Sequence, residues 1–321
     1  MTAMRLTGLT GLRWRRLAPA LYCFNYHRIG QSQLCAYDRN VFSCTVERFE
    51  EHVKLLAERF EIATLARIES LGDHAPDRPL ALITFDDGYI DNFELAVPVL
   101  LKHRATAVFF LPTGYVGTAH VPWWDQIAYI IRQSTATRIE LEGLAEPIRL
   151  TEAGREEGIR RVLALVKQRS VAMEEQVEEI RAACGGLRLP EDAQPLFMNW
   201  DQAGEMADAG MDIGSHTHSH EILSHLSEVE QLKELRQSKQ QLEQHLGRRI
   251  CAIAYPVGDR SAYTATTCRL AREAGYTLGF NFARHINPLP LTDPMDIGRL
   301  AVGGNPARRQ MQEMACYPAL A

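Results

Sequence analysis

The chain has 321 residues, enough for one large α/β domain or two smaller ones, with 46% apolar and 23% charged residues. A formal charge of −5, with no long basic run beyond Arg13–Arg16, argues against nucleic acid as a partner. No apolar run is long enough to span a bilayer, so no integral membrane segment is expected.

Residues 1–20 are basic and apolar. Their arginines precede an apolar run that enters NYHRIG without a small-residue cleavage site, so a cleaved signal peptide is not expected. An amphipathic segment resting on the protein or on a membrane surface is the alternative. The main domain is expected to run from 21 to 305. Its first strand, Leu21–Tyr26, ends at His27. Thr45 opens a helix over Val46–Arg59, and strands follow at Glu61–Leu65 and Leu80–Phe85, the latter stopping at Asp86-Asp87-Gly88. A helix over Leu95–His103 leads to a strand at Thr106–Leu111.

From about 118 to 194 the rhythm breaks. This stretch opens with VPWWDQ, holds a hairpin pattern in TRIELEGLAEPIRL and one or two charged amphipathic helices in Glu152–Cys184, and is taken as an insertion. Alternation then resumes with a helix at Trp200–Ala209, a strand at Met211–Gly214, a helix at Glu228–Leu246, a strand at Cys251–Tyr255, a helix at Ala262–Ala274 and a strand at Thr277–Phe282. Residues 306–321 form a C-terminal tail. Such alternation predicts a parallel sheet or a (β/α) barrel. The seven cysteines are scattered, with no CxxC pair, which predicts buried free thiols and a reducing compartment. A cytoplasmic location is therefore expected, with membrane association or the periplasm as alternatives.

The expected strands end in reactive residues: Tyr26-His27, Asp86-Asp87, His216 and Tyr255-Pro256. In barrels and open α/β sheets, the loops at the carboxyl ends of strands build the active site. Two adjacent carboxylates have pKa values pushed apart unless a cation sits between them. That suits one carboxylate on a metal and one moving a proton. A solvated turn is the alternative for an isolated Asp-Asp-Gly, but GSHTHSH places three histidines just after an apolar strand. His216 and His220 can meet if the chain turns helical after Ser215. Two imidazoles and a carboxylate make the open three-ligand pattern of catalytic Zn²⁺, a donor set that Co²⁺, Ni²⁺ or Fe²⁺ can also occupy. His52, His74, His103, His120, His225 and His245 are read as solvated or structural.

Three motifs, TFDDGY (Thr84–Tyr89), GSHTHSH (Gly214–His220) and AYPVG (Ala254–Gly258), give the chain a family likeness. It resembles the polysaccharide deacetylases of carbohydrate esterase family four, the NodB-type homology domain, from NYHRIG to about Arg299 except for the insertion. The resemblance implies a distorted (β/α) barrel with a helical and hairpin insertion. It also implies a metal-dependent hydrolase that removes N-acetyl groups from an amino-sugar polysaccharide or precursor. It assigns Asp87, His216 and His220 to the metal, Asp86 as base toward metal-bound water, and the backbone around Tyr255 and Pro256 to the oxyanion.

Ala254 stands where many members carry an arginine that restrains the catalytic carboxylate; Arg299 is the candidate replacement, with a surface or structural ion pair as the alternative for it. No late Leu-x-His motif is evident to supply the acid, so His27 is favoured over His285 for that role, with a structural histidine as the alternative for His27. His218 is expected to hold the loop. Tyr89 is expected to line the site, Asn92 to cap the following helix, and Trp123 and Trp124 to offer a sugar-stacking platform or else core packing. An O-acetyl esterase or other amide hydrolase, or a catalytically weak glycan-binding module, are the alternative functions.

Overall fold

The computed structural model describes residues 7–71, 76–152, 154–169, 171–190 and 194–320. His74, read above as solvated or structural, lies outside the described residues. The chain divides into two compact units, one of Met1–Gly30, Phe42–Thr118 and Phe197–Ala321, the other of Gln31–Val41 and Ala119–Leu196.

The first unit is built on an eight-stranded sheet. Its strands are β1 (Leu21–Tyr26), β2 (Glu61–Ile62), β3 (Leu80–Phe85), β4 (Val108–Leu111), β5 (Asp212–Ser215), β6 (Ala252–Ala254), β7 (Leu278–Phe280) and β8 (Leu300–Ala301). They lie in the order β7-β6-β5-β4-β3-β1-β8, with β2 also on β3, and every pairing is parallel. The sheet curls as a NodB-type (β/α) barrel does, and a parallel bridge from Phe280 to Ile297 ties β7 to the residues entering β8. One short segment, Ile297–Ala301, thus contacts both edges.

Side-chain parity divides each strand between two cores. Leu21 and Cys23 on β1, Leu80 and Leu82 on β3, Val108 and Phe110 on β4, and Leu278 and Phe280 on β7 fill the interior. The alternate residues, such as Tyr22, Phe24, Ile83 and Phe109, join a larger cluster with the surrounding helices. Parallel strands buried on both faces read as continuous apolar runs, which is why they were visible in the sequence. Helix starts are capped as the sequence implies. Thr45 accepts from Arg48, and Asn199, Ser227 and Thr264 each open a capping box.

Several boundaries shift. The strand expected over Glu61–Leu65 stops at Ile62, because the Thr64 hydroxyl accepts the Arg67 N–H and starts a helix at Leu65–Glu69. The helix expected from Leu95 begins earlier as a π turn over Asn92–Ala96 and continues as Val97–Lys102, where Pro98 has no N–H to give. Strands β4 to β7 are trimmed or shifted at their ends. β8, only two residues long, was not read from the sequence. The last residues carry a helix, Arg308–Cys316, whose Met311 and Ala315 are fully buried.

The second unit holds helices Trp123–Gln133, Arg155–Val166 and Met173–Ala183, and a short hairpin pairing Arg138–Ile139 with Ile148–Arg149. Within it the buried Asp125 carboxylate accepts the Asp38 N–H at 2.8 Å, and Arg132 binds Glu156 and the carbonyls of Ala36 and Tyr37. Trp123 and Trp124 are only 8% and 6% exposed, edge to face with each other at the helix start. The sugar-stacking platform is therefore corrected to core packing. No helix among the described residues is long and apolar enough to cross a membrane.

Candidate active site

Continuing the inward parity of β1 brings Asn25 into the barrel, and that of β3 brings Thr84 and then Asp86. Asp87 would face outward by parity alone. It instead adopts a left-handed conformation (φ 73°), followed by Gly88 at φ 70°, and both carboxylates reach the same rim. On β5, Gly214 faces inward, and a Cβ there would lie 2.5 Å from the Phe110 ring. Two residues on, His216 points into the site. The chain then turns through Thr217 (φ 65°) to His220 (φ 59°), which brings the second imidazole round.

The ligand atoms of Asp87, His216 and His220 lie within 4.8 Å of one another, and all three residues are buried. An Asp87 carboxylate oxygen is 3.5 Å from His216 Nε2 and 3.3 Å from His220 Nε2. His216 Nδ1 lies 2.7 Å from the Ala254 carbonyl, so its N–H donates there and turns Nε2 toward Asp87, where it donates while protonated and could ligate a cation once the proton is gone. Two buried nitrogens and a carboxylate converging in this way fit a divalent cation. Burial pushes the Asp87 carboxyl up, but hydrogen bonds from His216 and His220 outweigh it and hold it well below the usual range. His216 is raised despite its burial, because Asp86 and Asp87 favour its charged form.

Asp86 sits in a different environment. Arg299, fully buried, binds it with two parallel hydrogen bonds, Nη1 at 2.7 Å and Nη2 at 2.8 Å. The guanidinium also donates to the Asn25 side-chain oxygen and the Asn281 carbonyl, both at 2.9 Å, and lies over the rings of Phe110 and Phe282. Asn25 in turn donates to Asp86 at 3.1 Å and accepts from the Thr84 hydroxyl at 2.7 Å. Burial favours the neutral acid at Asp86, but Arg299, then His216 and His27, keep its carboxyl below the ordinary value. His27 Nε2 stands 3.9 Å from Asp86, with a quarter of the side chain exposed. Asn92 donates to the His27 carbonyl at 2.7 Å and Asp91 accepts the Ile29 N–H at 2.9 Å, so both fix the turn that carries His27.

The remaining candidates fall elsewhere. The ring of His285 lies over the backbone of Gly298, in the space a side chain there would fill. Tyr89 is fully buried, tilted against Phe197 and beneath the Arg28 guanidinium, so it offers no face to a sugar. Tyr255 points to the outer core, where its hydroxyl donates to the Met295 carbonyl at 3.0 Å, and its own N–H is taken by Phe280 at 3.0 Å. Pro256 has no N–H. The next amide belongs to Val257, a β-branched residue held at φ 61°, and it has no acceptor among the described residues. His218 holds the loop as expected, its Nδ1 2.9 Å from the Thr113 hydroxyl. Asn25 was missed, although a lone amide at an inward position of LYCFNY is a legible signal.

A family profile described as polysaccharide deacetylase matches residues 73–146 and 150–279. The chain belongs to the polysaccharide deacetylase family. Among curated relatives, the Bacillus subtilis (strain 168) protein YxkH, named with the polysaccharide deacetylases, is 25% identical over 236 residues. That alignment takes in 73% of this deacetylase-family chain and 56% of the relative, so the chain matches just over half of the relative's length. Among solved structures, the Streptococcus pyogenes deacetylase PplD, in complex with acetate, superposes with a TM-score of 0.60 at 19% identity, covering 92% of this chain and 97% of that one. IcaB from Ammonifex degensii gives 0.59 at 19% identity, over 94% and 98%. At such identities the likeness shows a shared fold.

Proposed function

We propose that the protein is a metal-dependent hydrolase that removes N-acetyl groups from an amino-sugar-containing glycan or glycan precursor. The observation that carries this reading is the division of labour between adjacent carboxylates, with Asp87 facing two imidazoles and Asp86 clamped by Arg299 beside His27. Asp87, His216 and His220 would hold the ion, with Zn²⁺ the first expectation and Co²⁺, Ni²⁺ or Fe²⁺ as alternatives. When bound, it would supply Lewis-acid polarisation of the acyl oxygen.

The chain's own residues do the rest. Asp86, kept ionised by Arg299, takes a proton from the attacking water. A C–O bond forms, and the C–N bond of the amide breaks. His27 gives a proton to the departing nitrogen, which leaves as the free amine of the sugar, with acetate as the second product. The Val257 N–H, the next amide along the chain after that of Tyr255, would serve the oxyanion in its place.

A glycan substrate accords with the family and with acetate in the PplD structure. The alternative of a weak glycan-binding module rests on the missing arginine of the third motif and the missing Leu-x-His motif; the Arg299 clamp on Asp86 speaks against the first ground, and His27 beside Asp86 against the second. Seven free cysteines, six of them buried, support a reducing compartment, for which cell fractionation is the test. The deciding experiment measures acetate and free amine released from a panel of N-acetylated and O-acetylated glycans, together with metal analysis of the purified protein. Release from O-acetyl substrates alone would replace this reading with an esterase, and no release from any would return the binding module.

A further inference from the structure

The loop that carries His220 is unusual in how it is held. Thr217 and His220 both occupy left-handed backbone, a conformation in which non-glycine residues are strained by about 1–2 kcal/mol. After Thr217, the backbone N–H groups of His218 and Ser219 point the same way and form a small anion-binding concavity. One carboxylate oxygen of Glu234, on the helix Glu228–Leu246, accepts both, at 2.9 and 2.8 Å. Its other oxygen accepts the Ser219 hydroxyl at 2.8 Å.

The rest of the loop is tied through other groups. Thr113 N–H donates to the Thr217 carbonyl, Gly114 N–H to that of His218, and the Tyr115 hydroxyl to that of Ser219. His220 N–H donates to the Thr217 hydroxyl at 3.1 Å. Among these anchors Glu234 alone supplies a full negative charge, and it satisfies the only two amides that lie between the strained residues.

We infer that Glu234 is a positioning residue for the metal site: its carboxylate fills the backbone concavity at His218-Ser219 and so fixes where the His220 imidazole stands. The inference rests on the reading of Asp87, His216 and His220 as ligands. Without the carboxylate, two adjacent amides lose their partner, and Thr217 and His220 are free to leave the left-handed region. Outer groups that orient metal ligands contribute about 10–100-fold to affinity. A glutamine can still accept both amides through its side-chain oxygen, whereas an alanine offers nothing.

The test is Co²⁺ titration of the apo-protein, followed by competition with a chromophoric chelator and by the visible cobalt spectrum, on wild type, Glu234→Ala and Glu234→Gln. The expected result is at least a tenfold weaker Kd with an altered spectrum for the alanine variant. Glutamine should restore the affinity to within about threefold of wild type. Far-UV circular dichroism and the Tm of the apo-proteins separate a local effect from unfolding, which a merely structural tie would show instead. If the alanine variant does not fold, Glu234→Asp carries the test: it keeps the charge but is one methylene short of both amides, and a tenfold loss is again expected. Wild-type-like affinity and spectrum in the folded variant would overturn the role of Glu234 and leave the metal site standing. Failure of the wild type to bind Co²⁺ would overturn both.

Discussion

At the scale of single residues, the pair Asp86–Arg299 is a buried ion pair joined by two hydrogen bonds. Removing one partner from a buried, doubly hydrogen-bonded ion pair leaves an uncompensated charge, a loss of about 3–5 kcal/mol. Arg299→Met should therefore lower unfolding stability by that order in urea melts. The double variant Asp86→Asn/Arg299→Met should be more stable than Arg299→Met alone, and additive losses would deny the coupling. Asp86→Asn by itself should cut kcat by roughly 10²–10⁴-fold with metal binding retained, since the proposed base is lost and the proposed ligands are intact. His27→Gln should also lower kcat by at least 10²-fold, with His285→Gln within about twofold of wild type, because only His27 faces Asp86. A steady-state comparison of the two variants decides between them. The sequence made Asp86, Asp87, His216 and His220 legible because residue type and spacing alone announce them. It could not make Glu234 or the Arg299 clamp equally plain, since these partners are 16 residues from His218 and 213 from Asp86 and meet only through the barrel.

At the scale of elements, strand ends position the site and helix caps fix where strands stop. Apolar runs with capping residues were readable for that reason, whereas two-residue β8, which delivers Arg299, carries no periodicity to read. The helix Val46–Arg59 illustrates a different kind of anchoring through His52, read from the sequence only as solvated or structural. His52 is fully buried, with Nε2 2.7 Å from the Pro306 carbonyl and Nδ1 3.2 Å from the Tyr26 hydroxyl. The neutral ring satisfies both by donating from Nε2 and accepting at Nδ1. Burial pushes its pKa down to about 4. A base whose folded pKa lies below its unfolded value of about 6.5 stabilises the fold fully above that value and loses the contribution as pH falls towards 4. The loss is on the order of 3 kcal/mol. Urea midpoints from pH 7 to 4.5 should fall more steeply for wild type than for His52→Gln, and parallel curves would remove His52 as the cause.

At the scale of the molecule, the parallel curled sheet follows from alternating strands and helices, and sequence order alone could not say which strands are neighbours. The pairing of β5 with β4, across the 119–196 segment, is such a case, since it places His216 beside the rim that Asp87 occupies. Folding thus brings two buried imidazoles and two buried carboxylates together, with His216 held partly towards its charged form by those acids. A cation that binds this arrangement and not the unfolded chain stabilises the whole fold, by about 2.7 kcal/mol at a free concentration 100 times Kd. Zn²⁺ or Co²⁺ should therefore raise the Tm of chelator-stripped protein by several degrees, and Asp87→Ala should abolish the rise while still folding. Stripping should remove hydrolysis, and adding the ion back should restore it. The thermal shift is independent of turnover, so it tests the site even if the substrate is wrongly chosen. A flat Tm with Zn²⁺, Co²⁺, Ni²⁺ and Fe²⁺ alike would mean that the three ligands hold each other through hydrogen bonds and no metal at all.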